Sequence, residues 1–128
     1  MIGYITLGTN DLARASQFYD ELFKVINAGR FMESERFVAW GVSPTQPSLG
    51  VIKPFDGQAA TVGNGCMAAL VVDSAEKVQA LYQKAMELGA KDEGAPGPRG
   101  TGGFYAAYFR DLDGNKLNAF CMQSAPSA

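Results

Sequence analysis

The chain has 128 residues, of which 47% are hydrophobic and 19% charged, and its formal charge is −2. This length and composition suit one globular domain that builds a core without staples, and they exclude a disordered chain. The near-neutral balance, with no basic cluster, argues against a nucleic-acid partner.

The elements follow in chain order. Residues 2–8 alternate and are rich in β-branched and aromatic side chains, which predicts a strand rather than a signal peptide. Thr9, Asn10 and Asp11 supply helix-capping side chains, and Leu12, Ala15, Tyr19, Leu22 and Ile26 then recur at amphipathic spacing as far as Ala28 and Gly29. Short strands are expected at 30–33, 36–42 and 48–53, with Pro44 and Pro47 breaking the chain between the last two. A glycine-rich surface loop follows, over about 56–65. The pattern then returns: a strand at 66–72, a helix capped by Asp73 and Ser74 and ended by Gly89, a short strand near 90–93, and a Gly/Pro-rich loop from Gly94 to Gly103 that carries Arg99. Strands 104–110 and 115–121 close the chain as a hairpin turned through Asp111 to Asn115.

The element order is therefore β-α-β-β-β, twice, with a period of about 62 residues. This predicts an α+β fold and one domain over residues 1–128. Its first module spans about 1–55, its linking loop about 56–65 and its second module about 66–122. No apolar run approaches the length of a membrane span, so no membrane partner is expected. Cys66 and Cys121 are too few for a disulfide framework and read as two buried thiols in a reducing compartment, which predicts a cytoplasmic protein.

Three stretches carry a resemblance that covers nearly the whole chain. They are Tyr4 to Leu12 with the Phe18-Tyr19 pair, Gly65 to Asp73, and Tyr108 to Asn118 with its Asp111-Leu112-Asp113-Gly114-Asn115 turn. Together with the doubled order they resemble the vicinal-oxygen-chelate superfamily, which holds glyoxalase I, bleomycin-resistance proteins and extradiol dioxygenases. The resemblance implies two curled modules around a glyoxalase-like cleft, and pairing of the chain as a homodimer. It also implies four cleft positions that usually hold His, Gln or Glu around a divalent metal. Here the first falls on Tyr4, the third on Cys66 and the fourth on Asn118. The second lies somewhere on strand 48–53, whose register the sequence leaves open.

These positions do not suit a catalytic metal, which wants imidazole, carboxylate or thiolate donors. The sequence contains no His, and strand 48–53 contains no acid, His or Cys. The acids elsewhere read as helix caps, helical polar faces, loops and turns. No metal and no cofactor are therefore expected. Alternation places Tyr4 and Thr6 in the cleft, Cys66, Ala68 and Leu70 from strand five, and Lys116, Asn118 and Phe120 from the last strand. Trp40, Phe55 and Tyr108 are expected nearby with Phe37, Phe104 and Tyr105, and Lys53 stands at the rim. The expected ligand-binding set is Tyr4, Thr6, Trp40, Lys53, Phe55, Cys66, Tyr108, Asn118 and Phe120. An aromatic-lined, metal-free cleft predicts a protein that binds a small apolar or aromatic molecule, as the bleomycin-resistance branch does. Two other readings stay open: a lyase- or isomerase-type enzyme using Tyr4 or Cys66 without a metal, and a dimeric interaction protein with a vestigial cleft.

Overall fold

The computed structural model describes residues 1–123, so residues 124–128 of the expected domain lie outside it. Strand β1 (Tyr4–Gly8) leads into helix α1 (Leu12–Phe23), a 3-10 turn (Lys24–Ile26), and strands β2 (Gly29–Glu33), β3 (Phe37–Gly41) and β4 (Ser48–Ile52). The second half repeats this with β5 (Ala68–Val71), α2 (Ala75–Glu87), β6 (Lys91–Pro98), β7 (Phe104–Arg110) and β8 (Lys116–Met122). The two sheets have matching orders, β1-β4-β3-β2 and β5-β8-β7-β6. In each, the first strand pairs in parallel with the last and the other pairs are antiparallel. The doubled β-α-β-β-β order is thus realised as two four-stranded mixed sheets, each carrying one helix.

The helix boundaries follow from local chemistry. The Asp11 carboxylate accepts the Arg14 N–H at 3.0 Å, and the Ser74 hydroxyl oxygen accepts the Lys77 N–H at 3.2 Å, satisfying donors that a first turn leaves free. Gly89, at φ +96°, ends α2 in the left-handed region that other residues resist. The buried stripe of α1 is Ala15, Phe18, Tyr19, Leu22 and Phe23, and that of α2 is Val78, Leu81 and Ala85. Both stripes, with the helix-facing residues of both sheets, form one continuous core. The halves meet through α1 and α2 rather than through their strands.

A polar latch joins the halves at one end. The Tyr19 hydroxyl donates to a buried carboxylate oxygen of Asp111 at 2.6 Å. The other Asp111 oxygen accepts the Asp113 and Asn115 N–H groups. Asp113 in turn accepts from the Thr9 hydroxyl at 2.6 Å and the Asn10 N–H at 3.0 Å, and the Asn115 amide donates to the Gly8 carbonyl at 2.9 Å. Burial, followed by the facing Asp111 charge, raises the Tyr19 pKa well above the usual phenol range, so this hydroxyl keeps its proton. The D-x-D-G-N turn is therefore a tie to α1 as well as a hairpin. No described helix is long and apolar enough to cross a membrane.

Two expectations about elements are corrected. The segment expected as loop after residue 93 extends β6 as far as Pro98, because β6 is an edge strand whose bulges accommodate Gly94, Pro96 and Gly97. Strand β5 begins at Ala68, two residues later than expected, and Cys66 lies before it in a turn closed by its own N–H on the Gly63 carbonyl at 3.1 Å. That thiol is exposed, not buried; Cys121 is buried, and both are free.

Candidate binding site

Each sheet uses one face for the common core and leaves the other outside it. Register decides which residues stand on which face. In β8, Leu117 and Ala119 pair with Ala68 and Leu70 of β5 and pack into the core. Asn118 and Phe120 pair with Ala69 and Val71 and belong to the outer face. Across β7, Asn118 is opposite Tyr108 and Phe120 opposite Ala106. The outer face of the second sheet thus gathers Phe104, Tyr108, Lys116, Asn118 and Phe120. The Phe104 and Phe120 rings lie 5.3 Å apart.

Cations frame this face. The Arg99 guanidinium folds back over β6, donating to the Gly97 and Ala95 carbonyls at 2.8 Å each, and its Cζ stands 5.4 Å from the Tyr108 ring centre. The Lys116 ammonium is 5.5 Å from the same ring. Neither forms an ion pair among the described residues, whereas neighbouring Arg110 is committed to Glu93. The Arg110 bond holds the Glu93 carboxyl below the usual carboxylate range. Asn118 is only 2% exposed, yet its Oδ1 has no hydrogen-bond partner. Its neighbours across the two ladders are Tyr108 and Ala69, and neither donates a hydrogen bond to it.

The first sheet presents a different outer face. Tyr4, Thr6, Ser48, Gly50, Ile52, Phe37 and Ala39 share it by register. The Phe37 ring lies over Gly50, where a side chain would collide with it, and 6.3 Å from the Tyr4 ring. Tyr4 is 65% exposed.

Between the free edges of β1 and β5 runs a crevice of about 550 Å³. Ile2, Ile5, Leu49, Met67, Leu70 and Val71 line it.

The structure therefore separates the residues expected in one cleft. Tyr108, Asn118 and Phe120 come together on the second sheet, and Tyr4 and Thr6 share the first. Lys53 and Phe55 follow the end of β4; Phe55 is 95% exposed beside the Arg36 guanidinium. Trp40 is 1% exposed, packed on Tyr19 and Phe23, with its N–H donating to Asp20 at 2.8 Å. The expected sharing of one face by Cys66, Ala68 and Leu70 with Asn118 is corrected: the Ala69–Asn118 pairing puts β5 one residue out of phase with that reading. The open register of β4 is resolved, with Ser48 beside Tyr4 and Gly50 beside Thr6. Sequence reasoning read Arg99 as a loop cation; its only signal was the pair Gly94 and Gly97, whose bare backbone admits the guanidinium.

The side chains at the resembling positions are thus a phenol (Tyr4), a hydroxyl or none from β4 (Ser48, Gly50), a thiol that stands in the turn before β5 (Cys66) and an amide (Asn118), and the residue paired with Asn118 on β5 is Ala69, a methyl. No group of three His, Cys, Asp or Glu side chains placed to hold a metal occurs among the described residues.

Residues 1–119 match the model of the Glyoxalase/Bleomycin resistance protein/Dioxygenase superfamily. A solved glyoxalase/bleomycin resistance protein from Albidiferax ferrireducens T118 is 32% identical, with a TM-score of 0.86 over 94% of this chain and 98% of that one. A hypothetical protein from S. aureus is 26% identical, with a TM-score of 0.72 over 94% and 92% of the two chains. A lactoylglutathione lyase from Agrobacterium tumefaciens shares the fold at 19% identity, with a TM-score of 0.69 over 94% and 92%. No curated protein matches the sequence.

Proposed function

As this chain belongs to the glyoxalase/bleomycin resistance protein/dioxygenase superfamily, we propose that it binds a small, partly aromatic molecule on its outer sheet faces, works as a homodimer, and does so without a divalent metal. The observation that carries the reading is Asn118, a buried amide whose oxygen lacks a partner on a face walled by Tyr108, Phe104 and Phe120. A buried polar group without a partner is costly, and a ligand that supplies the missing bond removes the cost. A phenol, a neutral amide and a single thiol standing in the turn before β5 do not fit the metal of the family's catalytic members, so no step is assigned to one.

Pairing is supported by the crevice. Two unpaired strand edges border it, and Ile2, Met67 and Val71 expose apolar surface around it, Val71 at 71%. Free edges beside apolar surface are what a second chain covers. A second reading is favoured by the crevice volume alone, which lies in the range of small-molecule sites: a monomer holding an apolar ligand there. Light scattering separates the two. A dimer that Val71→Lys splits supports pairing across the crevice, and a monomeric wild type sinks it. A ligand screen by thermal shift, repeated on Asn118→Ala, tests the binding face. Hits that keep their shift in the variant would refute the outer-face site.

A further inference from the structure

We infer that the outer face of the second sheet selects an anionic ligand, a small carboxylate with a flat body and a hydroxyl or N–H donor. This rests on the small-molecule reading above and adds the ligand's charge and its donor.

Three features of the face converge on that chemistry. First, Arg99 is pre-organised. Its two terminal nitrogens each donate to a backbone carbonyl at 2.8 Å, which fixes the plane of the guanidinium. A guanidinium has five N–H donors, so the remaining ones stay available for a carboxylate. The site is cut to this side chain: a Cβ on Gly94 would meet Nη2 at 3.2 Å and the Tyr108 ring at 3.3 Å, and one on Gly97 would meet Nη1 at 3.3 Å. Second, Lys116 approaches the same Tyr108 ring, and both cations are half-buried and unpaired among the described residues. The acid on the adjacent edge strand, Glu93, is occupied by Arg110. Two partly desolvated cations beside one ring, with Glu93, the acid near Lys116, already bound to Arg110, favour an anion from outside. Third, the unpartnered Asn118 Oδ1 is an acceptor and asks for a donor, not for a second negative charge. The aromatic surfaces of Tyr108, Phe104 and Phe120 suit a flat body between these polar ends. None of the residues that register places on the first sheet's outer face, Tyr4, Thr6, Ser48, Gly50, Ile52, Phe37 and Ala39, is a cation.

The test uses three flat probes on the full-length protein: 3-hydroxybenzoate, its neutral relative 3-hydroxybenzamide, and benzoate, which lacks the donor. Fragments of this size bind at about millimolar affinity, well within an NMR titration. The readouts are the Asn118 side-chain amide signals and the dissociation constants. We expect 3-hydroxybenzoate to move the Asn118 signals saturably. It should bind roughly tenfold or more tightly than the benzamide, the size of effect of one charge-assisted hydrogen bond. Benzoate should fall between them. Arg99→Gln and Lys116→Gln, each retaining a dispersed, folded spectrum, should each weaken 3-hydroxybenzoate and leave the benzamide unchanged. Equal binding of benzoate-type and benzamide probes at this face would overturn the anionic selectivity while leaving the small-molecule reading intact. Saturable 3-hydroxybenzoate binding that ignores both Gln substitutions would overturn it too, as would the absence of any Asn118 shift with all three probes. In that last case the thermal-shift screen on Asn118→Ala decides the broader reading separately.

Discussion

Replacing Tyr19 by Phe removes one oxygen from the centre of the latch and leaves its ring among Phe18, Phe23 and Trp40, whose centres lie 5.0, 5.3 and 5.4 Å away. The apolar packing survives, so the cost is that of the hydrogen bond to the Asp111 carboxylate. Bonds to charged groups contribute about 1.5–3 kcal/mol. Asp111 keeps the Asp113 and Asn115 N–H donors and the Asn115 amide, which prevents the larger penalty of a stranded buried charge. At about 2.1 cal/mol/K per residue, this corresponds to a fall in Tm of about 4 °C per kcal/mol, hence about 6–11 °C. The pH dependence adds a second, independent readout. The folded state raises the Tyr19 pKa above its ordinary 10.0, chiefly through burial. Its contribution is therefore complete below pH ~10 and is lost as pH rises, when the unfolded chain gives up a proton that the folded chain retains. Wild type should lose about 1 kcal/mol more than Tyr19→Phe between pH ~9 and ~11. Urea denaturation of both proteins across that range measures both effects. A loss below about 0.5 kcal/mol at pH 7, or parallel alkaline limbs, would refute the latch.

Other outcomes follow from the same geometry. The bonds from Arg30 hold the Asp20 carboxyl below its usual range, so that pair stabilises above pH ~4 and its contribution is lost on acidification. Asp20 and Arg30 are both 33% exposed, so Asp20→Asn should flatten the acid limb of a Tm–pH profile by under about 1 kcal/mol. Gly50→Ala drives a methyl group into the Phe37 ring and to 3.2 Å from the Val38 carbonyl, and should cost about 1–3 kcal/mol in urea. Most of that should return in Gly50→Ala/Phe37→Ala, and strict additivity of the two changes would show that the ring is not the obstacle. Val71→Lys should halve the mass seen by light scattering while leaving the far-UV circular dichroism unchanged.

Much of this protein is local and therefore legible in the sequence. Asp11 and Ser74 cap the helices because short side-chain acceptors meet free N–H groups there whatever the rest of the chain does. The 3.6-residue spacing of Leu12, Ala15, Tyr19 and Leu22, and its recurrence at Val78, Leu81 and Ala85, is enough to place two helices in a doubled order. The absence of His, and of any acid, His or Cys in strand 48–53, is a property of composition and needs no coordinates. What required the tertiary structure is everything that depends on register and on long-range pairing. A one-residue phase difference in β5 moves Ala69, rather than Ala68, beside Asn118, because alternate strand residues face opposite ways. Trp40 is drawn from the expected ligand set into the core by Tyr19, Phe23 and the Asp20 carboxylate. Gly94 to Pro98 becomes a strand only because β7 offers it an edge. Arg99 becomes a candidate anion ligand only when that edge carries it back over Tyr108, 9 residues further along the chain, a contact that no pattern of neighbouring residues encodes.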